Sequence, residues 1–79
     1  MLQVGTKIGI IWKDEYVIEN KGVQDYIVFR NTDDKSQYGI VNINTGKCLI
    51  ESQPTLSDLE KEFNGLLEEN WINYCEVKQ

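Results

Sequence analysis

Apolar and polar residues alternate over most of the first 50 positions, and a period of two predicts β-strands. Ile8, Ile10 and Trp12, for example, share one face of the first strand. The predicted strands are separated by polar or glycine-containing turns and run from Val4 to Trp12, Tyr16 to Ile18, Tyr26 to Phe29, Tyr38 to Ile43 and Lys47 to Ile50. The last two should form a hairpin, because Asn44-Thr45-Gly46 suits a three-residue loop with glycine in a left-handed position.

After Pro54 the pattern changes to that of an amphipathic helix. Thr55 is a suitable N-cap, and Asp58 follows three residues later as in a capping box. The helix is expected over residues 56–69, although Asn64-Gly65 could end it earlier because both residues tolerate C-cap geometry. Its apolar positions cover about 100° of a helical wheel, the width expected for packing on a core. They are Leu56, Leu59, Phe63, Leu66 and Leu67.

Trp71 to Val77 is the last predicted strand, so the order is five strands, a helix and a strand. Strands followed by a helix and a return strand predict an α+β fold with a mostly antiparallel sheet. Residues 1–79 are expected to form one domain. About six short strands could curl into an SH3-like open barrel or form a flatter sheet with the helix across it. One helix cannot cover both faces of a flat sheet, so curling or a homodimer would be needed.

Composition sets the expected compartment. The longest apolar stretch, Ile8 to Trp12, is far shorter than the roughly 20 residues of a membrane-spanning helix. The first seven residues lack the basic start and apolar run of a signal peptide, so a cytoplasmic location is predicted. Cys48 and Cys75 are then expected to be free thiols, because the cytoplasm keeps thiols reduced.

The net charge of −5 is unevenly distributed. Residues 1–50 contain six acidic and six basic side chains, whereas residues 51–79 contain seven acidic and two basic ones. Acidic surfaces repel phosphate backbones, which disfavours direct nucleic-acid binding. The same charge favours a protein partner with a basic surface.

The sequence lacks recognisable catalytic and metal-binding patterns. It contains no histidine, the commonest general base and metal ligand. Asp33-Asp34, with Asp25 upstream, could supply oxygen ligands to magnesium, but adjacent acids in a polar loop are more often solvated turn residues. Cys75 is expected to be a core thiol rather than a nucleophile. We therefore predict no catalytic, cofactor-binding or metal-binding residues, and a protein that is not an enzyme.

The predicted helix carries an acidic face. Asp58, Glu62 and Glu69 recur at i, i+4 and i+11, with Gly65 among them. They cluster within about 60° on the side opposite the Leu/Phe stripe. This face is either a docking surface for a basic partner or a solvated face that keeps the protein soluble.

Trp71 joins these three acids as a predicted partner-binding residue, because exposed tryptophan is a frequent interface anchor. Trp71 and Tyr74 are separated by an odd number of positions and should lie on opposite faces of one strand. Trp71, at the start of that strand, is expected to be the more exposed of the two.

Residues 38–49, with the sequence YGIVNINTGKCL, and residues 55–59, with the sequence TLSDL, combine a Thr-Gly hairpin with the start of a helix. This layout resembles small uncharacterised proteins of phages and mobile elements in Gram-positive bacteria, and the resemblance covers about residues 38–77. No functional residue is carried over from it. The resemblance implies a setting, namely an accessory protein that acts on a host defence protein or a host regulator.

Two functions are compatible with these features. The leading hypothesis is a non-catalytic protein-binding module, such as a small acidic phage accessory protein that inhibits a host or defence protein. The alternative is an oligomeric protein that binds or sequesters a small molecule such as a nucleotide. In that case aromatic side chains would stack on the base, and Arg30 and Lys35 would contact a phosphate.

Overall fold

The computed structural model describes residues 1–13, 22–34, 37–69 and 71–78. A short 3₁₀ turn covers Thr32–Asp34. The strand predicted from Tyr16 to Ile18 lies outside the described residues. Those residues form five strands and one α-helix, which are β1 (Lys7–Trp12), β2 (Gln24–Asn31), β3 (Gln37–Asn42), β4 (Cys48–Gln53), α1 (Leu56–Glu68) and β5 (Ile72–Lys78).

The five strands form one antiparallel sheet in the order β4-β3-β2-β1-β5. The sheet is curled but not closed into a barrel, so β4 and β5 are its two edges. α1 follows the strand at one edge and precedes the strand at the other, and it packs mainly on β3 and β4. The prediction of an α+β fold, with a curled, mostly antiparallel sheet and one helix before the last strand, is confirmed.

The core lies between the sheet and α1. Burial alternates most clearly in β2, where Gln24, Tyr26 and Val28 are buried and the residues between them are not. Among the described residues, the buried apolar cluster consists of Leu2, Ile8, Ile10, Tyr26, Val28, Ile40, Ile50, Leu59 and Phe63. Strands β1 to β4 and α1 therefore share one core, whereas β5 contributes only the partly buried Ile72 and Cys75.

The hairpin between β3 and β4 has the turn chemistry that its sequence predicts. Gly46 has a φ of 74°, in the left-handed region that residues with a β-carbon avoid. The side-chain oxygen of Asn42 accepts hydrogen bonds from the backbone N–H groups of Asn44 and Thr45, at 2.8 and 3.0 Å. The connection is longer than the three residues predicted, because β3 ends at Asn42 and β4 begins at Cys48.

α1 begins and ends close to the predicted positions. Thr55 is its N-cap, with extended φ and ψ of −137° and 162°, and its hydroxyl oxygen accepts the N–H of Asp58 at 3.0 Å. The helix continues through Asn64 and Gly65 to Glu68, so these two residues do not end it. No helix within the described part of the chain is both long enough and apolar enough to cross a membrane.

The first strand is shorter than predicted. β1 begins at Lys7 rather than Val4, because Gly5 has a φ of 92° and takes part in a turn. In this turn the N–H of Thr6 donates to the carbonyl oxygen of Gln3 at 3.0 Å. The segment before β1 therefore bends, and this bend accompanies the burial of Leu2 in the core.

Other strand boundaries also differ from prediction, and β2 extends two residues beyond its predicted range at each end. β4 continues to Gln53, although Ser52 has a φ of 45° that no feature of the sequence indicates. β5 begins at Ile72, so Trp71 lies in the turn before the strand rather than in the strand itself.

Candidate interaction surface

Asp58, the first residue of the predicted acidic face, takes part in capping the helix. Its backbone N–H donates to the hydroxyl oxygen of Thr55, and its Oδ2 accepts a hydrogen bond from the same hydroxyl group at 3.0 Å. A carboxylate in the first turn is also stabilised by the partial positive charge at a helix N-terminus. Asp58 therefore stabilises α1 whether or not a partner binds.

Glu62 and Glu69 are exposed. Glu69 is the C-cap of α1, and its backbone N–H donates to the carbonyl oxygen of Leu66 at 3.2 Å. At 100° and 1.5 Å per residue, Asp58, Glu62 and Glu69 fall within about 40° of one another and extend over about 16 Å. We call these three residues the acidic flank of α1.

Trp71 is 44% exposed and Tyr74 is 46% exposed. The two side chains are therefore exposed to nearly the same degree, and the expectation that Trp71 would be the more exposed is not confirmed. The reason is that Tyr74 lies on an edge strand and faces away from the core, beside its cross-strand partner Ile11. The backbone of Trp71 is fixed, because its carbonyl oxygen accepts the N–H of Lys13 at 3.1 Å.

A groove that the sequence did not predict runs between α1, β5 and the first two residues. Its volume is about 240 Å³, and we call it the edge groove. The N–H of Leu2 donates to Oε1 of Glu60 at 2.7 Å, which joins the N-terminal segment to the helix. The lining residues are Met1, Leu2, Glu60, Phe63, Asn64, Leu67 and Val77. Leu2 lies before the first predicted strand, so its contact with the helix has no signal in the sequence.

The sheet face turned away from α1 is partly apolar. The Phe29 ring lies over Gly39, where an added β-carbon would come within 2.6 Å of the ring. On the neighbouring part of this face, a β-carbon on Gly9 would lie 3.0 Å from Cγ1 of Val23. Gly39 therefore leaves room for the ring of Phe29 on β2, and Gly9 leaves room for Val23, which precedes β2.

The two thiols differ in environment. Cys48 is exposed and Cys75 is half-buried, and neither forms a disulfide. Burial raises the pKa of the Cys75 thiol, which disfavours the reactive thiolate. Among the residues that the structure describes, no group of three or more acidic or cysteine side chains could hold a metal ion.

The structure describes one of the two residues proposed for phosphate binding. Arg30 lies over the ring of Tyr38, with its guanidinium carbon 5.9 Å from the ring centroid. Lys35 lies outside the described residues. Trp12 and Tyr26 pack against each other, and Nε1 of Trp12 donates to the Tyr26 hydroxyl at 3.0 Å. Both of these aromatic rings therefore contribute to packing.

Comparison of the chain with protein-family models, with curated proteins and with solved structures finds no match in any of the three.

Proposed function

We propose that this chain is a non-catalytic protein-binding domain whose acidic flank docks on a basic surface of a partner protein. One observation carries the proposal. The acidic excess lies in residues 51–79, and three of the seven acidic side chains in that segment follow one flank of α1 and its C-cap.

Electrostatics supports this proposal. Complementary charge speeds and orients the encounter of two proteins, and salt screens the effect. Lys61 is the one basic residue in the sequence of α1, so little positive charge offsets the flank. Trp71 lies two residues beyond Glu69 and is exposed, and it would supply the apolar anchor of the same interface.

We further propose a setting for this binding. The protein would act in the cytoplasm as an accessory protein of a phage or mobile element and inhibit a host or defence protein. The resemblance over residues 38–77 supports this setting. The acidic flank supports a host target with a basic surface.

Charge reversal tests the acidic flank. In the variant E62K/E69K, Asp58 is left unchanged because it caps the helix. The matched control is E51K/E68K, which changes the net charge equally at two exposed positions outside the flank. Circular dichroism should show the same fold and thermal transition for both variants.

The binding measurement is affinity purification from a lysate of a Gram-positive bacterium, followed by mass spectrometry. We expect a partner that the wild-type protein and E51K/E68K both retain. Recovery with E62K/E69K should fall by about tenfold, as should recovery with the wild-type protein in high salt. Equal recovery of the same partner with both double variants would show that the acidic flank is not the binding surface.

A further inference from the structure

β5 is the edge of the sheet that α1 leaves more open. It pairs with β1 along one side, and no strand within the described ranges pairs with its other side. Its pairing with β1 is regular from Tyr74 to Lys78, and four of these five side chains are exposed. An unpaired, regular strand edge presents backbone N–H and C=O groups to any strand that can be added.

The hydrogen bonds of the inner strands indicate which β5 residues present these groups. The carbonyl oxygen of Asp25 accepts the N–H of Ile43 at 2.9 Å, so the backbone groups of Asp25 point toward β3. The backbone N–H and C=O groups of successive residues in a strand point to opposite neighbouring strands. Those of the next residue, Tyr26, therefore point toward β1. Tyr26 is paired with Ile8, which must therefore direct its own backbone groups toward β2.

The same alternation extends to β5. Ile8 is paired with Val77, and Ile10, two residues further along β1, is paired with Cys75. The backbone N–H and C=O groups of Ile8 and Ile10 point toward β2 and not toward β5. Val77 and Cys75 therefore occupy non-hydrogen-bonded positions opposite them. The N–H and C=O groups of Cys75 and Val77 are thus directed to the free edge.

Val77 belongs to this free edge and also lines the edge groove. Leu67 lines the groove from the helix side, and both side chains are partly exposed, at 39% and 38%. With about 240 Å³, the groove is smaller than the roughly 300–1,000 Å³ of common small-molecule sites. Its size therefore suits one large apolar side chain rather than a whole ligand.

The charged residues near the edge groove and β5 indicate what kind of segment could bind there. Glu60 is the one charged side chain among the seven residues that line the groove. Glu76, between Cys75 and Val77 on β5, is exposed and lies on the opposite face of the strand from Val77, where alternate side chains of an added strand would lie. A second copy of this chain would bring a further net charge of −5 to the same edge. A basic segment would instead be attracted to it.

We propose that an extended segment of a partner protein adds to the free edge of β5 as a further strand, with an apolar side chain in the edge groove and basic residues beside it. Strand addition of this kind combines main-chain hydrogen bonds with pockets for alternate side chains. The inference goes beyond the acidic flank and does not depend on it. On a helical wheel, Glu60, Asn64 and Leu67 lie on the other side of the buried stripe from that flank.

The test uses a capped hexapeptide in which lysine alternates with leucine, titrated into isotope-labelled protein and followed by NMR. We expect saturable binding with a dissociation constant below about 1 mM. The largest amide shifts should occur at Cys75 and Val77, and Leu67 should show the largest methyl shifts. N-methylation of the peptide amides that face β5 removes two hydrogen bonds and should weaken binding by about tenfold. Replacement of lysine by glutamate in the peptide should abolish binding.

Protein variants locate the site independently of the peptide chemistry. V77K should weaken binding by about tenfold, because it removes the apolar contact and adds a positive charge. The matched control, I43K, alters an exposed aliphatic residue beside the β3–β4 turn and should leave binding unchanged. L67S provides a second groove variant on the helix side in case V77K disturbs the pairing of β5.

Three results would overturn the proposal. The first is the absence of saturable binding. The second is binding that N-methylation does not weaken and that shifts the acidic flank, which would support the proposed function while rejecting strand addition. The third is a concentration-dependent dimer in sedimentation, with shifts at Cys75 and Val77 in the absence of peptide, which would assign the edge to a second copy.

Discussion

The two edges of the sheet are protected to different degrees. At β4, the helix packs against the strand, the pairing with β3 shifts register twice, and Ser52 has a φ of 45°. At β5, the pairing is regular from Tyr74 to Lys78 and most side chains are exposed. Covered or irregular edges resist the addition of another strand, and regular exposed ones permit it. Within the described part of the chain, the β5 edge is therefore the one that another strand could join.

The placement of α1 explains this difference. Because the helix packs mainly on β3 and β4, its buried residues Leu59 and Phe63 cover the same side of the sheet as Ile40 and Ile50. No residue of β5 is buried to the same extent. The β3–β4 side therefore buries apolar side chains against the helix, whereas β5 leaves its apolar side chains at least partly exposed.

Truncation of a leucine on each side of α1 should give the largest contrast. Leu59 is fully buried, so L59A should lower the free energy of unfolding by about 2–5 kcal/mol. Leu67 lines the edge groove and is 38% exposed, so L67A should cost much less, at most about 1 kcal/mol. Urea denaturation measures the loss in free energy of unfolding for each variant. Equal losses would mean that the groove side is as important for folding as the β4 side.

Substitution of two glycines should change the stability of the fold by intermediate amounts. G39A places a β-carbon 2.6 Å from the Phe29 ring and 2.7 Å from the carbonyl oxygen of Ile50, so it should destabilise the fold by about 1–3 kcal/mol. G65A adds a methyl group where no atom lies within 4 Å, and it should stabilise the helix by about 0.5–1 kcal/mol. Thermal unfolding should therefore move in opposite directions for the two variants.

Local patterns were sufficient to predict the main elements. The Asn44-Thr45-Gly46 turn and the Leu/Phe stripe indicated the hairpin and the helix, because turn chemistry and helical periodicity act within a few residues. The stripe also indicated correctly that the helix passes Gly65, since Leu66 and Leu67 continue it.

Features that depend on distant residues could not be predicted. The burial of Leu2 depends on contacts with the core and on a hydrogen bond to Glu60, 58 positions away. The exposure of Tyr74 depends on β5 being an edge strand, which the order of elements alone does not fix. Of the predicted partner-binding residues, Asp58 could be read both as a cap and as part of an acidic face. The structure shows the capping role, and the acidic-face role belongs to the proposed function.

The smallest predicted effect is electrostatic and lies on β5. The hydroxyl of Tyr74 donates to Oε1 of Glu76 at 3.1 Å, and this hydrogen bond, with the negative charge of Glu76, raises the pKa of Tyr74. The folded state therefore holds this proton more tightly than the unfolded state. The resulting stabilisation is present below the unfolded pKa of about 10 and is lost as the pH rises through the higher folded pKa.

The variant E76Q removes the charge while keeping a hydrogen-bond acceptor, so the pKa of Tyr74 should fall toward the ordinary tyrosine value. Tyrosinate absorbance measures this change, and the difference between the wild-type protein and Y74F isolates the signal of Tyr74. The control is E51Q, which removes an exposed carboxylate from β4 at the opposite edge and should leave the titration of Tyr74 unchanged. An equal fall in both variants would mean that the overall negative charge of the protein, rather than the local contact on β5, sets this pKa. The β5 surface would then have no electrostatic feature that distinguishes it from β4.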